Sequence, residues 1–356
     1  MQQSDCMGPG GWSLLAPRAQ SGGRSPVLDL RRREFISLLG GAVLTSPLAL
    51  RQAAHAAPPG RSVTIGVITP LSFPALEGLR RGFRELGYVE GRNLHLEYRW
   101  AEGSTDRYFS IAQELVRLGV DAIVTWGTPA TMGAQQATAT LPIVMGAVGD
   151  PLAAQLRVSN VSRPGGNVTG FSSLANELEV KRLQVLKELL PKLQRLAVLS
   201  NAANPAIGVG AGALQQGARS SGVTIEIVQL QGNDFDKAFA ELRQTRPDAV
   251  LVLADPVLLD HARDILAFIS AQRLIGMYAY RDFVQLGGLL SYGTNYHELF
   301  RRAAGYVDRI LNGANPGDLP IQQADRFELV INLKTAKELN LEVPGTVLAL
   351  VDEVIE

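Results

Sequence analysis

The sequence predicts an α/β protein made of two doubly wound lobes. From Val63 onward, short runs of β-branched and apolar residues alternate with longer runs that have helical spacing, and no long series of hairpin-linked strands interrupts them. This alternation is typical of parallel sheets that are covered by helices on both faces. The strand runs are too numerous for one sheet of ordinary width, so two sheets in two lobes are expected.

The first elements follow one another without long interruptions. Val63–Ile68 is typical of a buried strand, and further strands are predicted at 94–100, 120–125 and 141–145. Apolar residues at helical spacing predict helices between these strands, over 75–86, over 106–118 and from Thr128 onward.

The same alternation resumes after Phe171. A helix is predicted over 177–190, followed by strands that are separated by further helices, at 196–199, 223–228, 249–253 and 275–278. The glycine-rich segment 208–212 lies at the start of a predicted helix, where close packing explains its composition.

Five proline-containing pairs mark the ends of predicted strands and the starts of predicted helices. Proline suits the first helical position, and Thr, Asp or Asn before it is a good N-cap. All five would lie at carboxyl edges of parallel sheets, where helix N-termini attract anionic ligand groups. The pairs are Thr69-Pro70, Thr128-Pro129, Asp150-Pro151, Asn204-Pro205 and Asp255-Pro256. Their distribution over both halves predicts two edges that face a common cleft.

Composition and missing motifs exclude several function classes. The 34 basic and 34 acidic residues give no net charge, which argues against a nucleic-acid partner. Cys6 is the only cysteine, so neither a disulfide framework nor a cysteine-ligated metal site is expected. The chain has no dinucleotide-binding glycine motif, no Walker loop and no nucleophile elbow, and its histidines are isolated in sequence. No cofactor, metal site or catalytic group is therefore predicted.

The N-terminal segment is predicted to direct export. Arg31-Arg32-Arg33 precedes a short apolar run over 36–50, which ends at Ala54-His55-Ala56, a pattern typical of a cleavable signal peptide. The arginine pair before Glu34-Phe35-Ile36 resembles a twin-arginine signal. We expect residues 31–56 to be this signal, residues 1–30 to be a disordered extension or a misassigned start, and the mature protein to be periplasmic. An uncleaved N-terminal anchor is the alternative.

Six phrases in fixed order resemble one protein family. They are Gly87–Asn93, Glu97–Gly103, Gly127–Ala130, Arg163–Gly170, Gly287–Gly293 and Phe327–Ala336. They resemble the ABC transporter substrate-binding protein family that includes TrpX-like proteins, over nearly all of 63–356. The resemblance implies a type I periplasmic-binding fold, with two Rossmann-like lobes, three hinge crossings and a ligand held between the lobes. It also implies an ABC permease as partner and no catalytic residues.

The resemblance leads to specific boundaries. The first lobe is expected to comprise 63–170 plus 288–325, and the second 174–286 plus 326–356. The chain would cross near 171–173, return to the first lobe over 288–293 ahead of a helix at 298–311, and cross again over 326–332.

The predicted function is capture of a small polar metabolite, such as an amino acid, for import. Backbone N–H groups of Gly127 and Thr128 would hold a carboxylate, while Asp150 or Asp255 would receive an ammonium group. Tyr280 and Arg281 follow a second-lobe strand and could contact an apolar side chain and a carboxylate. The candidate ligand-binding residues are Ser72, Phe73, Gly127, Thr128, Asp150, Asn201, Asp255, Tyr280, Arg281 and Tyr292. The alternatives are a ligand-sensing module of a signalling system and an exported α/β enzyme that uses Asp150 and Asp255 as acid and base.

Overall fold

The computed structural model describes residues 62–70, 74–102, 104–152, 156–175, 177–204 and 207–356. The strands are β1 (Val63–Thr69), β2 (Leu94–Trp100), β3 (Ala122–Trp126), β4 (Ile143–Val148), β5 (Val168–Ser172), β6 (Arg195–Asn201), β7 (Thr224–Leu230), β8 (Ala249–Val252), β9 (Ile275–Tyr278), β10 (Leu290–Thr294), β11 (Gln322–Gln323), β12 (Phe327–Asn332) and β13 (Glu353–Ile355). The helices are α1 (Leu76–Glu85), α2 (Arg107–Leu118), α3 (Thr128–Ala137), α4 (Leu178–Leu189), α5 (Ile207–Ser220), α6 (Phe235–Thr245), α7 (Pro256–Asp260), α8 (Ala262–Ala271), α9 (Arg281–Gln285), α10 (Tyr296–Leu311), α11 (Leu333–Glu338) and α12 (Gly345–Leu348).

Two sheets confirm the predicted two-lobed α/β architecture. The first sheet has the order β11-β5-β4-β3-β1-β2, and all its strands are parallel. The second has the order β13-β12-β10-β9-β8-β6-β7, in which β10 and β12 are the one antiparallel pair. Strands β3, β4 and β8 are buried at every residue because helices cover both sheet faces, which explains their uninterrupted apolar runs.

The two sheets repeat one winding order. Counting from the second strand of each lobe, β2-β1-β3-β4-β5 in the first sheet corresponds to β7-β6-β8-β9-β10 in the second. In this order the winding direction reverses beside the first strand, and open α/β folds bind ligands at the carboxyl ends of the strands around that point. The fold therefore supplies two candidate binding edges, one in each lobe.

The chain passes between the sheets three times. The first passage follows β5 and leads to α4, the second follows β10 and leads to α10, and the third connects β11 to β12. Helix α10 packs against α1 and β4 and therefore belongs to the first lobe.

The second passage lies later in the chain than predicted. The expected return to the first lobe over 288–293 is not what the structure shows, because β10 pairs with β9 and with β12 in the second sheet. Leu290 and Tyr292 pack against the apolar core of that sheet. Strand pairing over long sequence separations holds β10 there, and the chain leaves the second lobe only after Thr294.

Two glycines allow α1 and α10 to touch backbone to backbone. A Cβ atom on Gly78 would lie 2.1 Å from the carbonyl oxygen of His297, and one on Gly82 would lie 2.3 Å from that of Arg301. The four-residue spacing places both glycines on one face of α1. This contact fixes α10 on the first lobe directly after the second passage.

One apolar cluster extends through both lobes and contains Trp126 of the first and Tyr280 of the second. Two further clusters each lie within one lobe. Among the helices of the described ranges, none is long and apolar enough to cross a membrane.

Candidate functional site

The carboxyl ends of the two sheets border a shared cavity. Trp126 and Gly127 at the end of β3 line it from the first lobe, and Pro256 and Tyr280 line it from the second. The lobes touch here, since a Cβ atom on Gly127 would lie 3.3 Å from Cγ of Pro256. The cavity measures about 30 Å³, which is room for a few water molecules at most. A ligand as large as an amino acid therefore requires the lobes to separate.

Aromatic rings form much of the cavity wall. The ring centroid of Trp126 lies 6.0 Å from that of Tyr280 and 6.3 Å from that of Tyr296, and both contacts are edge to face. Phe300 lies behind Trp126 at 6.5 Å. Such contacts join the lobes, and the same rings present apolar faces to a planar ligand group.

Two tyrosine hydroxyls meet at this wall. Tyr280 and Tyr296 share a hydrogen bond, and Tyr296 also bonds to Ser173. Burial raises the pKa of Tyr280 well above its usual value, and the neighbouring Tyr296 and Asp255 add to the effect. Burial also raises the pKa of Tyr296. Both phenols therefore remain neutral and can donate or accept hydrogen bonds.

Helix α3 begins at the cavity. Gly127 precedes it with φ 85° and ψ 158°, a conformation that is almost confined to glycine. Its N–H donates to the carbonyl of Ala147, so the predicted use of this N–H for a ligand carboxylate is not available here. Thr128 is buried and lines the cavity, and helix geometry leaves the N–H groups of the first turn without partners inside the helix. The positive end of the α3 dipole thus faces the cavity.

Asp255 is buried and stands in the chain between Ala254 and Pro256, two residues of the second-lobe wall. Its Oδ1 accepts hydrogen bonds from the N–H groups of Val257 and Leu258, as the N-cap of α7, and from the amide of Asn201. Its Oδ2 accepts one bond, from the amide of Asn204 at 2.8 Å. Burial raises the pKa of Asp255, although these hydrogen bonds act in the opposite direction. Asn201 therefore holds the carboxylate of Asp255 in place.

Three other predicted residues are not part of the cavity wall. Arg281 pairs with Glu328 at 3.1 Å and with Glu353 at 2.6 Å, so strand edges of the second lobe hold it. Tyr292 lines a separate groove beside Phe327. Asp150 accepts a hydrogen bond from the N–H of Leu152, and residues 151–152 form a turn where a helix was expected. Ser72 and Phe73 lie outside the described residues.

The predicted set lacked several cavity residues, among them Trp126, Ser173 and Tyr296. Trp126 is the last residue of β3, directly before Gly127, so its position at the strand end was the signal that could have identified it. Ser173 is the first residue of the first passage between the lobes, and Tyr296 directly follows the second. The second passage was predicted too early in the chain, so Tyr296 was not recognised as a cavity residue. Tyr296 reaches the cavity because β10 ends there.

Within the described part of the chain, no three His, Cys, Asp or Glu side chains lie close enough to hold a metal ion. The site is a cleft with an aromatic wall and a helix N-terminus, and the buried carboxylate of Asp255 belongs to a residue next to the wall residues Ala254 and Pro256. Such an arrangement can hold a small zwitterion with an apolar side chain.

Comparison with known proteins places this architecture in a family. The family model described as ABC transporter substrate binding protein matches residues 64–355. A tyrosine-binding protein of Clostridioides difficile is 28% identical over 287 residues, which cover 78% of this chain and 81% of that protein.

Two solved structures are also similar. A conserved domain protein from Vibrio cholerae superposes with a TM-score of 0.77 at 28% identity, covering 83% of this chain and 100% of that one. An ABC domain from Streptococcus pneumoniae in complex with L-Trp superposes with a TM-score of 0.74 at 27% identity, covering 82% and 100%. The fold is that of the type I periplasmic-binding proteins, and the chain belongs to the ABC transporter substrate-binding protein family.

Proposed function

We propose that the protein is an exported receptor that captures an α-amino acid, with an aromatic side chain, for an ABC importer. The observation that carries this proposal is the aromatic wall of Trp126, Tyr280 and Tyr296 at the facing carboxyl edges of the two sheets. A ring inserted among these rings gains edge-to-face or offset-stacked contacts in addition to burial. The similar proteins with named ligands, tyrosine and L-Trp, support an aromatic side chain.

The two charged ends of the ligand would meet opposite lobes. The N-terminus of α3, at Thr128, favours the carboxylate. Asp255 favours the ammonium, because Oδ2 accepts one hydrogen bond and a carboxylate oxygen has capacity for two. A ligand held in this way joins the lobes and stabilises the closed arrangement.

The chemistry expected of the cleft is binding without turnover. The cavity wall has neutral phenols and hydroxyls, and the carboxylate of the neighbouring Asp255 serves as a helix cap. Export to the periplasm rests on the segment with Arg32 and Arg33, which lies outside the described residues. Exchange of both arginines for lysine should prevent export if this segment is a twin-arginine signal.

Thermal unfolding with and without ligand tests the proposed function. At a ligand concentration 100 times Kd, binding contributes about 2.7 kcal/mol, which raises the Tm of a protein of this size by roughly 4 °C. We expect L-tyrosine, L-tryptophan or L-phenylalanine to give such a shift, and L-glutamate and glucose to give none. A shift with glucose and none with any aromatic amino acid would contradict the proposal, and product formation from bound ligand would indicate an enzyme.

A further inference from the structure

A buried ion pair lies next to the passages between the lobes. Arg182 and Glu179, both on α4, are 1% and 3% exposed, and their side chains meet at 2.7 Å. The second carboxylate oxygen of Glu179 has no hydrogen-bond partner among the described residues. Burial raises the pKa of Glu179 although Arg182 opposes this.

Stability alone does not explain such a pair. Replacing buried ion pairs by apolar side chains of similar volume is often neutral or stabilising, since desolvation offsets the attraction. The unbonded oxygen of Glu179 makes this pair still less favourable. What an apolar side chain cannot supply is the set of directed N–H donors on the guanidinium.

Those donors reach two different passages. Nε of Arg182 donates to the carbonyl of Tyr292 at 2.6 Å, in the strand that leads to the second passage. Nη1 donates to the carbonyl of Ala175 at 3.4 Å, in the first passage. One guanidinium therefore holds together two connecting segments that are more than a hundred residues apart in the chain.

The passages also bond to one another. The hydroxyl of Thr294 in the second donates to the carbonyl of Ser173 in the first. The N–H of Ala324 in the third donates to the carbonyl of Ser172 at 2.8 Å, and the N–H of Asn295 donates to the carbonyl of Arg326 at 3.1 Å. The three segments thus form one bonded unit, and Arg182 attaches that unit to α4 of the second lobe.

The same segments line the cavity. Ser173 and Ala175 lie in the first passage and Tyr296 directly follows the second, and all three belong to the cavity wall. A change in the geometry of the passages therefore changes the cleft directly.

We propose that Arg182 is a positioning residue that couples the first and second passages, so that the lobes rotate about one hinge when the cleft closes on its ligand. This inference rests on the proposed function for its ligand, but the coupling itself is a property of the hinge. Without Arg182, the two passages can bend independently and the lobes sample a wider range of orientations.

The test compares two double variants. Arg182→Met with Glu179→Met removes the pair without leaving a buried unpaired charge, and Arg99→Met with Glu114→Met removes a more exposed ion pair within the first lobe as the control. Spin labels at Arg117→Cys and Asp236→Cys, both exposed and in different lobes, report the distribution of distances between the lobes. The background is the full chain with Cys6→Ser, because Cys6 is the only native cysteine.

We expect the hinge variant to keep its Tm within a few degrees, to broaden the distance distribution, and to raise the Kd for L-tyrosine or L-tryptophan at least tenfold. The control variant should change neither the distances nor the Kd. Equal distance distributions in the hinge variant and the wild type would overturn the inference. If wild type binds neither amino acid, the proposed ligand class fails, while the distances still decide the role of Arg182.

A second variant covers loss of folding. Arg182→Lys keeps the charge beside Glu179, but a single ammonium group cannot reach the carbonyls of Tyr292 and Ala175 in the same geometry. A broader distribution of distances between the two spin labels in this variant supports the coupling role of Arg182, and an unchanged distribution contradicts it.

Discussion

The carboxylate of Asp255 receives four hydrogen bonds, yet only one of them reaches Oδ2. The Oδ1 side is occupied by the first turn of α7 and by Asn201, so this side of the carboxylate stabilises the second lobe. The Oδ2 side has capacity for one more donor, and its charge is what a ligand ammonium would recognise. The Oδ1 side therefore contributes to the free energy of unfolding, and the Oδ2 side to the affinity for a ligand.

Asp255→Asn separates these contributions. Asparagine is an equally good N-cap, and Asn204 can rotate its amide to accept from the new side chain, so we expect the free energy of unfolding to change by about 1 kcal/mol or less. Loss of the charge-assisted bond should weaken amino-acid binding by about 2 kcal/mol, roughly 30-fold. Calorimetric titration with L-tyrosine or L-tryptophan measures the binding.

Asp234→Asn is the matched control, because Asp234 caps α6 in the same lobe through the N–H of Lys237 and is exposed. Asp234→Asn should leave both the free energy of unfolding and the affinity for the amino acid nearly unchanged. A lowered Tm together with unchanged affinity in the Asp255 variant would assign this residue to capping alone.

Residue identity at the site was only partly predictable. Gly127, Thr128 and Tyr280 were predicted from their positions after strands and line the cavity, since the carboxyl ends of parallel strands collect at one edge. Ligand binding by Asp255, predicted in the same way, stays a prediction. Arg281 follows the same rule but is held by Glu328 and Glu353, which are distant in sequence. The position of a residue in the sequence predicts at which edge of a sheet it lies. The partner of its side chain depends on tertiary contacts, which the sequence does not show directly.

At the scale of elements, the contact between α1 and α10 depends on the absence of side chains. Gly78 and Gly82 lie against the carbonyl groups of His297 and Arg301, so the helices approach more closely than ordinary side chains permit. Alanine in most helices is stabilising relative to glycine. Steric contact reverses that preference at these two positions.

Gly78→Ala should destabilise the first lobe. The added methyl group forces the helices apart, at a cost of about 1–3 kcal/mol, which exceeds the gain in helix propensity of roughly 1 kcal/mol. Gly305→Ala in α10 is the control, since a Cβ atom there has no neighbour within 4 Å. Urea unfolding should show a lower free energy of unfolding for Gly78→Ala than for wild type, and a higher one for Gly305→Ala. Changes in the same direction for both variants would refute the steric explanation.

An ion-pair network reinforces the same helix contact. Arg301 bonds to Glu85 on α1 and to Glu298 on its own helix, and these bonds lower the pKa of both carboxyl groups. A lowered carboxyl pKa contributes stability at pH values above the unfolded pKa of about 4, and this contribution is lost as pH falls through the folded value.

Arg301→Met should therefore lower stability at pH 7, by on the order of 1 kcal/mol or less for partly exposed pairs. The difference from wild type should disappear as the pH falls below about 4 or in 1 M salt. Arg81→Met is a control that removes only the exposed pair with Glu85. A wild-type advantage that persists at low pH would exclude the carboxylates as its origin.

Most elements could be predicted because periodicity and capping are local. The strand β10 shows the limit of such reasoning, since the five residues Leu290–Thr294 carry no local signal for which sheet they join. Pairing with β9 and β12 decides its place, and this pairing is a property of the folded chain. Because of this error, the second passage was predicted too early in the chain, and Tyr296 was not predicted as a site residue.

For the whole molecule, the cavity of about 30 Å³ implies that ligand exchange requires lobe movement. Small-angle scattering should show a smaller radius of gyration with L-tyrosine or L-tryptophan bound than without ligand, because the lobes close about the hinge. The Tyr280→Phe variant should close less completely, since it loses the hydroxyl contact with Tyr296. An unchanged radius with a ligand that demonstrably binds would contradict the hinge model.

The three passages also determine when each lobe can be completed during synthesis. The first lobe acquires α10 and β11 only after the ribosome has made most of the second, and the second lobe receives β12 and β13 last. The antiparallel partner of β10 and the edge strand at Glu353–Ile355 are thus translated after all the other strands of both sheets. The second lobe cannot finish folding before these two strands have been made, so deletion of residues 327–356 damages a sheet whose other strands were made long before.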